Sequence, residues 1–474
     1  MGAPEDHEGS DALVDWVVAE AGRRTRWSAL RAAGRALARA VGTELDEGAL
    51  RLYAAPGDGD GDTAASVAPG SVDLDADGDR LNAALAMGAC LEAVLAPDER
   101  HAGAHHTPPW LARRVVDLAL DGLSPTGSTT VCDPACGGGV FAVTAADALL
   151  HRRLGDATPT DTDRAEVARC VWAFDTDPLA VAVTEVALAL WAGTGDDGIV
   201  AGGLVTADFL LDGSVEASRP EAGWDVVVGN PPFQSQLATA TARSRRRAEE
   251  LRARFDAAAG GYVDEAALFL LAGARVLAAE GRMALIVPTA LASTAHAAPV
   301  REALAERTVL AELWAPDEQP FTAAVDVMVP VLAAGGAADA TVVHPSGAAA
   351  GDDAAPVLVP DPGADWADAV ATAWGVPPAP SAGTSGTLSD RAAVTAGFRQ
   401  HFYAVADAVR EGGPGDATDR PVLTVGLVDP LRNRWGLADT RIGGTRFRRP
   451  VLPGATASDR AVIDASVAEW LEAR

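Results

Sequence analysis

The spacing of apolar and polar residues differs before and after residue 100. Residues 11–40 carry apolar side chains at helical spacing, and residues 81–95 form a second apolar stretch of helical length. From Thr107 to about Gly336, short β-rich runs alternate with helical stretches. We therefore expect a helical region over residues 1–100 and a doubly wound α/β domain with a mostly parallel sheet over residues 101–336.

The pattern weakens after this domain. Residues 335–390 are dominated by Ala, Gly, Pro and Asp, which predicts loops and weak elements. Aromatic residues and arginines return after residue 390. We expect a third, irregular α/β or mainly β domain over residues 337–474.

The composition excludes several chemistries. All 38 basic residues are arginine, whereas P-loops, pyridoxal enzymes and the usual nuclease centres each need a lysine. The four cysteines have no zinc-ligand spacing, so we expect a reduced protein and no metal site. The chain shows no basic and apolar leader and no apolar run long enough to span a bilayer. We expect a cytoplasmic protein without membrane contacts.

Three consecutive glycines lie between a predicted strand and a predicted helix, in DPACGGGVF from Asp133 to Phe141. Such a turn lets the backbone approach a ligand, and the helix N-terminus offers unpaired N–H groups and partial positive charge. Taken alone, it could also be a plain Gly-rich turn. Asp175 ends the next strand, where such folds hydrogen-bond a ribose diol. Asp208 follows another strand, and a lone surface aspartate is its alternative interpretation.

A second motif ends a buried apolar strand abruptly, in DVVVGNPPF from Asp225 to Phe233. Two prolines stiffen the turn, so that the Asn230 side chain and the Pro231 carbonyl present acceptors in a fixed geometry. This arrangement suits a planar NH2 group, and Phe233 supplies a flat face for the ring that bears it. The motif therefore predicts a site for an aromatic amine or a planar amide.

The two motifs together resemble the S-adenosylmethionine-dependent amino-methyltransferases. Their order is similar to that of the gamma class of DNA adenine-N6 methyltransferases, the restriction-modification type. The stretch HTPPWLA resembles the cofactor motif that precedes the glycine turn in this class, with His106 in place of the usual aromatic residue. Thr107 as helix N-cap and Pro108 as first helical residue would give this stretch a purely structural role. The resemblance covers roughly residues 95–335 and implies a Rossmann-like methyltransferase sheet.

The resemblance also implies S-adenosyl-L-methionine as the cofactor. Asp133 and the glycine turn would hold its methionine part, Asp175 its ribose and Asp208 its adenine amino group. The cofactor-binding residues implied in this way are Thr107, Pro108, Asp133, Ala135, Cys136, Gly137, Gly139, Asp175 and Asp208.

The implied reaction uses the tetrapeptide Asn230-Pro231-Pro232-Phe233. A target adenine would be flipped out of duplex DNA and stacked on Phe233, with Phe321 on its other face. Asn230 and the Pro231 carbonyl would accept both amino hydrogens, while the nitrogen lone pair attacks the sulfonium methyl. Positioning and electrostatics would matter more than a general base.

The net charge of −28 argues at first against a nucleic-acid partner. However, three stretches hold six arginines each, at residues 21–40, 243–254 and 431–449. The stretch at residues 21–40 is best interpreted as a solvated helix face. The stretch at residues 243–254 follows the tetrapeptide. The stretch at residues 431–449 lies in the target-recognition domain that the resemblance implies for residues 337–474. The residues expected to bind DNA are Arg245, Arg246, Arg434, Arg446, Arg448 and Arg449.

Two other functions stay open. A protein glutamine-N5 methyltransferase also acts on a planar amide, although those enzymes are shorter and lack a C-terminal domain. The second alternative function is that of a non-catalytic DNA-binding subunit in a modification or defence assembly. The intact motifs argue against this alternative. A separate restriction or defence subunit also stays open as a partner. The DNA recognition sequence and the oligomeric state do not follow from the sequence.

Overall fold

A computed structural model gives the fold of most of the chain. It describes residues 8–23, 25–54, 80–95, 107–193, 203–233, 245–260, 263–317, 319–321, 325–335, 341–345, 355–357, 365–376, 408–413, 420–424, 427–429, 432–442 and 445–452. Two compact units divide at residue 379: residues 1–379 and residues 380–474.

The described part of residues 1–100 is helical, which confirms that prediction. Its helices are α1 (Glu8–Arg23), α2 (Arg26–Ala40), α3 (Arg51–Ala54) and α4 (Arg80–Val94). They pack on one another and on the helix that follows the second strand of the sheet. One arginine departs from the expected solvated face: Arg31 is buried and donates from Nε to the Leu52 carbonyl at 2.7 Å. Its charge therefore serves helix packing.

A large sheet follows, with helices between most of its strands. The strands are β1 (Val131–Asp133), β2 (Val171–Asp175), β3 (Leu204–Thr206), β4 (Trp224–Gly229), β5 (Leu277–Leu285), β6 (Val287–Pro288), β7 (Thr308–Trp314), β8 (Val327–Ala334), β9 (Thr341–His344) and β10 (Ala355–Val357). The helices are α5 (Pro109–Leu120), α6 (Val140–Leu154), α7 (Asp161–Ala168), α8 (Pro178–Ala192), α9 (Ser214–Ser218), α10 (Arg245–Phe255), α11 (Glu265–Val276), α12 (Ala290–Ser293), α13 (Ala298–Ala305) and α14 (Ala367–Ala373).

The strand order is β10-β9-β7-β8-β5-β4-β1-β2-β3, and β6 also pairs with β8. The strands from β3 to β5 along this order run parallel, whereas β8 runs antiparallel to both β5 and β7. The apolar runs of β1, β2 and β4 are buried on both faces, as parallel strands between helix layers require. The predicted doubly wound α/β fold is confirmed.

The order in which the chain adds strands to the sheet reverses between the adjacent parallel strands β1 and β4. β1 leads outward to β2 and β3 on one side, and β4 leads to β5 on the other. Open α/β sheets bind ligands at such a switch point, outside the carboxyl ends of the strands. Because Val131 lies opposite Val226 and Cys132 opposite Val227, the glycine turn after β1 and the tetrapeptide after β4 lie side by side.

The predicted domain boundary at residue 336 falls inside the sheet. β9 pairs with β7, β10 pairs with β9, and α14 packs against both β7 and β9. These segments were expected to be loops because Ala, Gly, Pro and Asp surround them. The first unit therefore continues to residue 379, and it also includes the N-terminal helices.

The second unit contains short antiparallel β-pairs in its described residues. Their strands are β11 (Arg410–Glu411), β12 (Arg420–Pro421), β13 (Val428–Asp429), β14 (Arg432–Asn433), β15 (Thr440–Ile442), β16 (Thr445–Phe447) and β17 (Pro450–Leu452). Ile442 and Phe447 form a small core with Val409 and Val422. Across both units, none of the described helices combines the length and the apolar character needed to cross a membrane.

Candidate active site

Asp133 ends β1 at the switch point and is fully buried. Its Oδ1 accepts from the Ala135 N–H at 3.2 Å, whereas Oδ2 has no hydrogen-bond partner among the described residues. Burial raises the pKa of Asp133 to about 8. A buried carboxyl oxygen without a partner is costly, so Asp133 is suited to a polar group that enters the site.

The turn after Asp133 is bent by two glycines in the left-handed region, Gly137 at φ +50° and Gly139 at φ +88°. Gly139 is also the N-cap of α6, whose first N–H groups face the turn. The Cys136 N–H donates to a β2 carbonyl at 2.8 Å, and the Thr184 hydroxyl donates to the Gly137 carbonyl at 3.0 Å. These bonds hold the turn against β2 and α8.

The middle glycine of the turn, Gly138, lies directly against Gly88 of α4. A Cβ built on Gly138 would lie 2.6 Å from Gly88 Cα, and one built on Gly88 would lie 2.6 Å from the Gly138 carbonyl oxygen. Because both obstacles are backbone atoms, neither can move aside. The contact shows that an N-terminal helix forms one wall of the glycine turn. The sequence prediction did not include Gly88.

Asp175 ends β2 beside this turn. Its Oδ2 accepts from the Gly137 N–H at 3.0 Å, and its Oδ1 accepts from the Asp177 N–H at 2.9 Å. Burial raises the pKa of Asp175 by more than these hydrogen bonds lower it. Each carboxylate oxygen keeps a further lone pair, so Asp175 can brace the turn and accept from a diol as well.

Asp208 is already engaged in an ion cluster. Its Oδ2 lies 2.5 Å from Nη1 of Arg247 on α10, and its Oδ1 accepts from the Leu210 N–H at 2.9 Å. Arg247 also binds the fully buried Glu265 of α11, with Nη2 and Oε2 at 2.8 Å. Although burial lowers the pKa of Arg247, its bonds to Glu265 and Asp208 outweigh that effect and raise it above the ordinary arginine value.

This cluster changes the interpretation of the second arginine stretch, because Arg247 faces inward. Its neighbour Arg246 is 88% exposed and pairs with Glu250, one helical turn away at 2.9 Å. The side chain of Arg245 lies outside the described residues. Local patterns did not reveal the cluster, since Asp208, Arg247 and Glu265 are far apart in sequence.

Asn230 follows β4 and meets the motif expected to bind cofactor. Its Nδ2 donates to the Thr107 hydroxyl at 3.0 Å, while Oδ1 is buried and has no partner among the described residues. Thr107 is 3% exposed. The prediction that Thr107 caps α5 is wrong, because Pro108 occupies the N-cap, Pro109 begins the helix, and no side-chain cap bond forms.

Phe233 completes the tetrapeptide and is buried against Phe321. The ring centroids lie 6.1 Å apart with an interplanar angle of 81°, so the rings meet edge to face. A base stacked on both rings would need one of them to turn. Pro231 is buried and Pro232 half-buried, consistent with a stiff turn.

The predicted DNA-binding arginines of the second unit lie on its surface. Arg446 is opposite Arg441 in the hairpin of β15 and β16, and both are exposed. Like charges directly opposite each other destabilise a hairpin, and the nearest acid to Arg446 is Asp439, at 3.6 Å. Arg448 donates from Nε to the Gly436 carbonyl at 3.2 Å. The remaining two, Arg434 and Arg449, are exposed.

A protein-family profile described as N-6 DNA Methylase matches residues 88–342, more than half of the chain. The match includes the glycine turn, the tetrapeptide and the whole parallel part of the sheet. The chain belongs to the N-6 DNA methylase family. The family description names a DNA methylase that acts at N-6, and the cofactor of this chain is S-adenosylmethionine. The roles of the individual site residues stay predictions.

Two solved structures illustrate the structural likeness. One, from Listeria monocytogenes, is described as a class I S-adenosylmethionine-dependent methyltransferase. It has 16% identity and a TM-score of 0.44, with 70% of this chain and 89% of that chain covered. The other, from Vibrio vulnificus YJ016, is described as a modification subunit of a type I restriction enzyme. It has 18% identity and a TM-score of 0.40, with 59% of this chain and 55% of that chain covered.

A third likeness is to a type I restriction-modification methyltransferase subunit from Streptococcus thermophilus. It has 15% identity and a TM-score of 0.39, with 54% of this chain and 50% of that chain covered. The methylase thus spans about half the length of the Vibrio and Streptococcus proteins. At such TM-scores the likenesses add nothing to the fold and the family match. No curated protein matches the chain.

Proposed function

We propose that this chain methylates N6 of adenine in duplex DNA at the carboxyl ends of β1 and β4. One observation carries the proposal: two buried acceptor oxygens, Asp133 Oδ2 and Asn230 Oδ1, have no partner among the described residues and lie at the carboxyl ends of adjacent strands at the switch point. Stable proteins rarely leave such groups unpaired. Substrate groups that donate hydrogen bonds would satisfy both.

The residues of this site fit the cofactor. Asp133 would accept from the ammonium group of the methionine part, and the turn from Ala135 to Gly139 would enclose that part. Asp175 would accept from the ribose diol with its spare lone pairs. Asp208 would reach the adenine amino group only beside Arg247, which already occupies one of its oxygens.

Bound S-adenosylmethionine would supply a methyl group on a positively charged sulfur. N6 of adenine would form a bond to the methyl carbon as the carbon–sulfur bond breaks, and N6 would then lose one proton to water, so that a thioether and N6-methyladenine remain. Asn230 would accept one N6 hydrogen through Oδ1, and the Pro231 carbonyl would accept the other. Holding both hydrogens in acceptor bonds turns the nitrogen lone pair away from conjugation with the ring. The chain thereby acts through position and fixed dipoles.

The target base would have to leave the duplex to reach these acceptors. Phe233 would stack on the flipped base, and Phe321 would turn to cover the other face. Exposed arginines would contact DNA phosphates, with Arg246 contributed by the first unit and Arg446 by the second. The opposed pair of Arg441 and Arg446 supports an anionic partner, since nucleic acid would remove their repulsion.

The test is transfer of tritium from labelled S-adenosylmethionine to genomic DNA from a host that lacks the gene. We expect label in DNA, and single-molecule sequencing of the product should place 6-methyladenine at one recurring sequence. Label in a protein release factor but not in DNA would favour glutamine methylation instead. Cofactor binding without any transfer would favour the non-catalytic subunit.

A further inference from the structure

The hydrogen bond between Asn230 and Thr107 joins the nitrogen end of the Asn230 amide to the Thr107 hydroxyl. The amide nitrogen points to the Thr107 hydroxyl at 3.0 Å, and the oxygen is left buried and unpaired. Thr107 is itself buried, so water does not compete for this bond. The two residues belong to different motifs, one before α5 and one after β4.

The polarity of this amide matters because its two ends bind opposite partners. The Asn oxygen accepts hydrogen bonds, whereas the nitrogen carries two donors. With the oxygen in the site, the amide binds a 6-amino group. With the nitrogen in the site, it would repel a 6-amino group and bind a 6-oxo group instead.

We propose that Thr107 is a positioning residue that sets the polarity of the Asn230 amide and so makes the site select a 6-amino purine over a 6-oxo purine. This rests on the proposed function. The Thr107 hydroxyl accepts from Nδ2, and its own hydrogen has no acceptor among the described residues. A cofactor carboxylate there would take that hydrogen and leave the hydroxyl only as an acceptor. The expected role of Thr107 in cofactor binding and its contact with Asn230 are then two parts of one function.

The first test needs no substrate. The chain contains three asparagines, Asn82, Asn230 and Asn433, so asparagine labelled with 15N in the side chain gives a spectrum of three NH2 pairs. The pair of Asn230 is identified by its loss in Asn230→Asp. We expect that pair to be protected from solvent exchange in the wild type and in Thr107→Ser, and to lose protection in Thr107→Val. The other two pairs should stay in place and report that the variants are folded. An unchanged Asn230 pair in Thr107→Val would overturn the proposal.

The second test measures selectivity. Duplexes carrying the sequencing-defined site, with either adenine or hypoxanthine at the target position, are bound to each variant in the presence of S-adenosylhomocysteine. A site with a hydrogen bond to one exocyclic group discriminates strongly against an analogue that cannot form it. We therefore expect the wild type and Thr107→Ser to prefer adenine by about tenfold or more, and Thr107→Val to lose most of that preference.

Kinetics separate positioning from simple cofactor binding. Thr107→Val should lower kcat by about a hundredfold, as expected when an acceptor aimed at the reacting group is lost, and should also raise KM for S-adenosylmethionine because the contact with the cofactor carboxylate is lost. A raised KM with unchanged base preference would show a cofactor contact alone and overturn the inference. If wild-type protein methylates no DNA, the proposed function fails, while the NMR result still decides whether Thr107 fixes the amide.

Discussion

Two neighbouring regions at the same edge of the sheet use buried polar groups in opposite ways. At the ends of β1 and β4, Asp133 and Asn230 each have a buried oxygen without a partner among the described residues. Next to β3, Asp208 and Glu265 bind Arg247, and Glu265 is completely buried. The first region offers two acceptors to a ligand, and the second is satisfied within the chain. The difference teaches that buried polar groups at one sheet edge can serve binding in one place and the fold in the next.

Removing the unsatisfied acceptor should have the largest effect. We expect Asn230→Ala to lower kcat by about a thousandfold, because one preorganised partner of the reacting group is worth about two to three powers of ten. The dissociation constant of S-adenosylmethionine should change little. The measurement is single-turnover methyl transfer, together with calorimetric cofactor binding. Asn82→Ala on α4 is the matched control and should leave the rate unchanged. If Asn230→Ala kept the wild-type rate, the proposed role of this site in methyl transfer would be wrong.

Breaking the satisfied cluster should affect stability before it affects chemistry. Glu265→Ala removes the fully buried one of the two carboxylates that Arg247 binds, so we expect a loss of about 3 kcal/mol in the free energy of unfolding. Urea denaturation measures it. Glu216→Ala is the control, because the Arg254–Glu216 pair lies at the surface and such pairs contribute below about 1 kcal/mol. Equal losses of unfolding free energy in Glu265→Ala and Glu216→Ala would contradict the structural role of the Arg247 cluster.

Asp133 should make the apo protein sensitive to pH. Its pKa is raised by burial from 3.8 to about 8, so the folded chain keeps a proton that the unfolded chain has lost. Its contribution to stability is complete below pH 3.8 and is lost as the pH rises toward about 8, by at most about 1.4 kcal/mol per pH unit. We expect Asp133→Asn to flatten the pH dependence of unfolding over this window.

The control for this variant is Asp163, whose pKa is lowered, first by the hydrogen bond from the Thr160 side chain. Asp163→Asn should alter the pH dependence of stability only in the acid range, where the wild type loses the stabilisation that the Asp163 carboxylate provides at higher pH. A slope at neutral pH that survives in Asp133→Asn would mean that another group carries the proton.

The smallest expected effect concerns the surface cations, which contrast with the paired Arg247. We expect Arg446→Gln to reduce the slope of log affinity against log salt by about one, as for the loss of one phosphate contact. Filter binding to a duplex with the recurring site, across a salt series, measures the slope. Arg169→Gln is the control, since Arg169 is exposed at the amino end of β2, opposite the site. Reversing Arg446, Arg448 and Arg449 together should weaken binding further. An unchanged slope in both would remove the second unit from DNA binding.

The sequence predicted those parts of the fold and site that are local. The apolar runs of β1, β2 and β4 and the polar residues at their ends could be identified because each is a short continuous string. β9 and β10 were expected only as part of a region of loops and weak elements, since short strands among Ala, Gly and Asp lack a periodic signal. The contacts of Arg247 with Asp208 and of Thr107 with Asn230 depend on the three-dimensional packing of distant segments. No spacing rule predicts them.

The contact between Gly88 and Gly138 has a consequence for inheritance. Each glycine meets the backbone of the other, so neither position accepts a side chain, and changing both residues together would relieve neither clash. The family match begins at Gly88, well before the glycine turn itself. Recombination that brought in a helix with a larger residue at position 88 would therefore damage the glycine turn while leaving every residue of its motif intact.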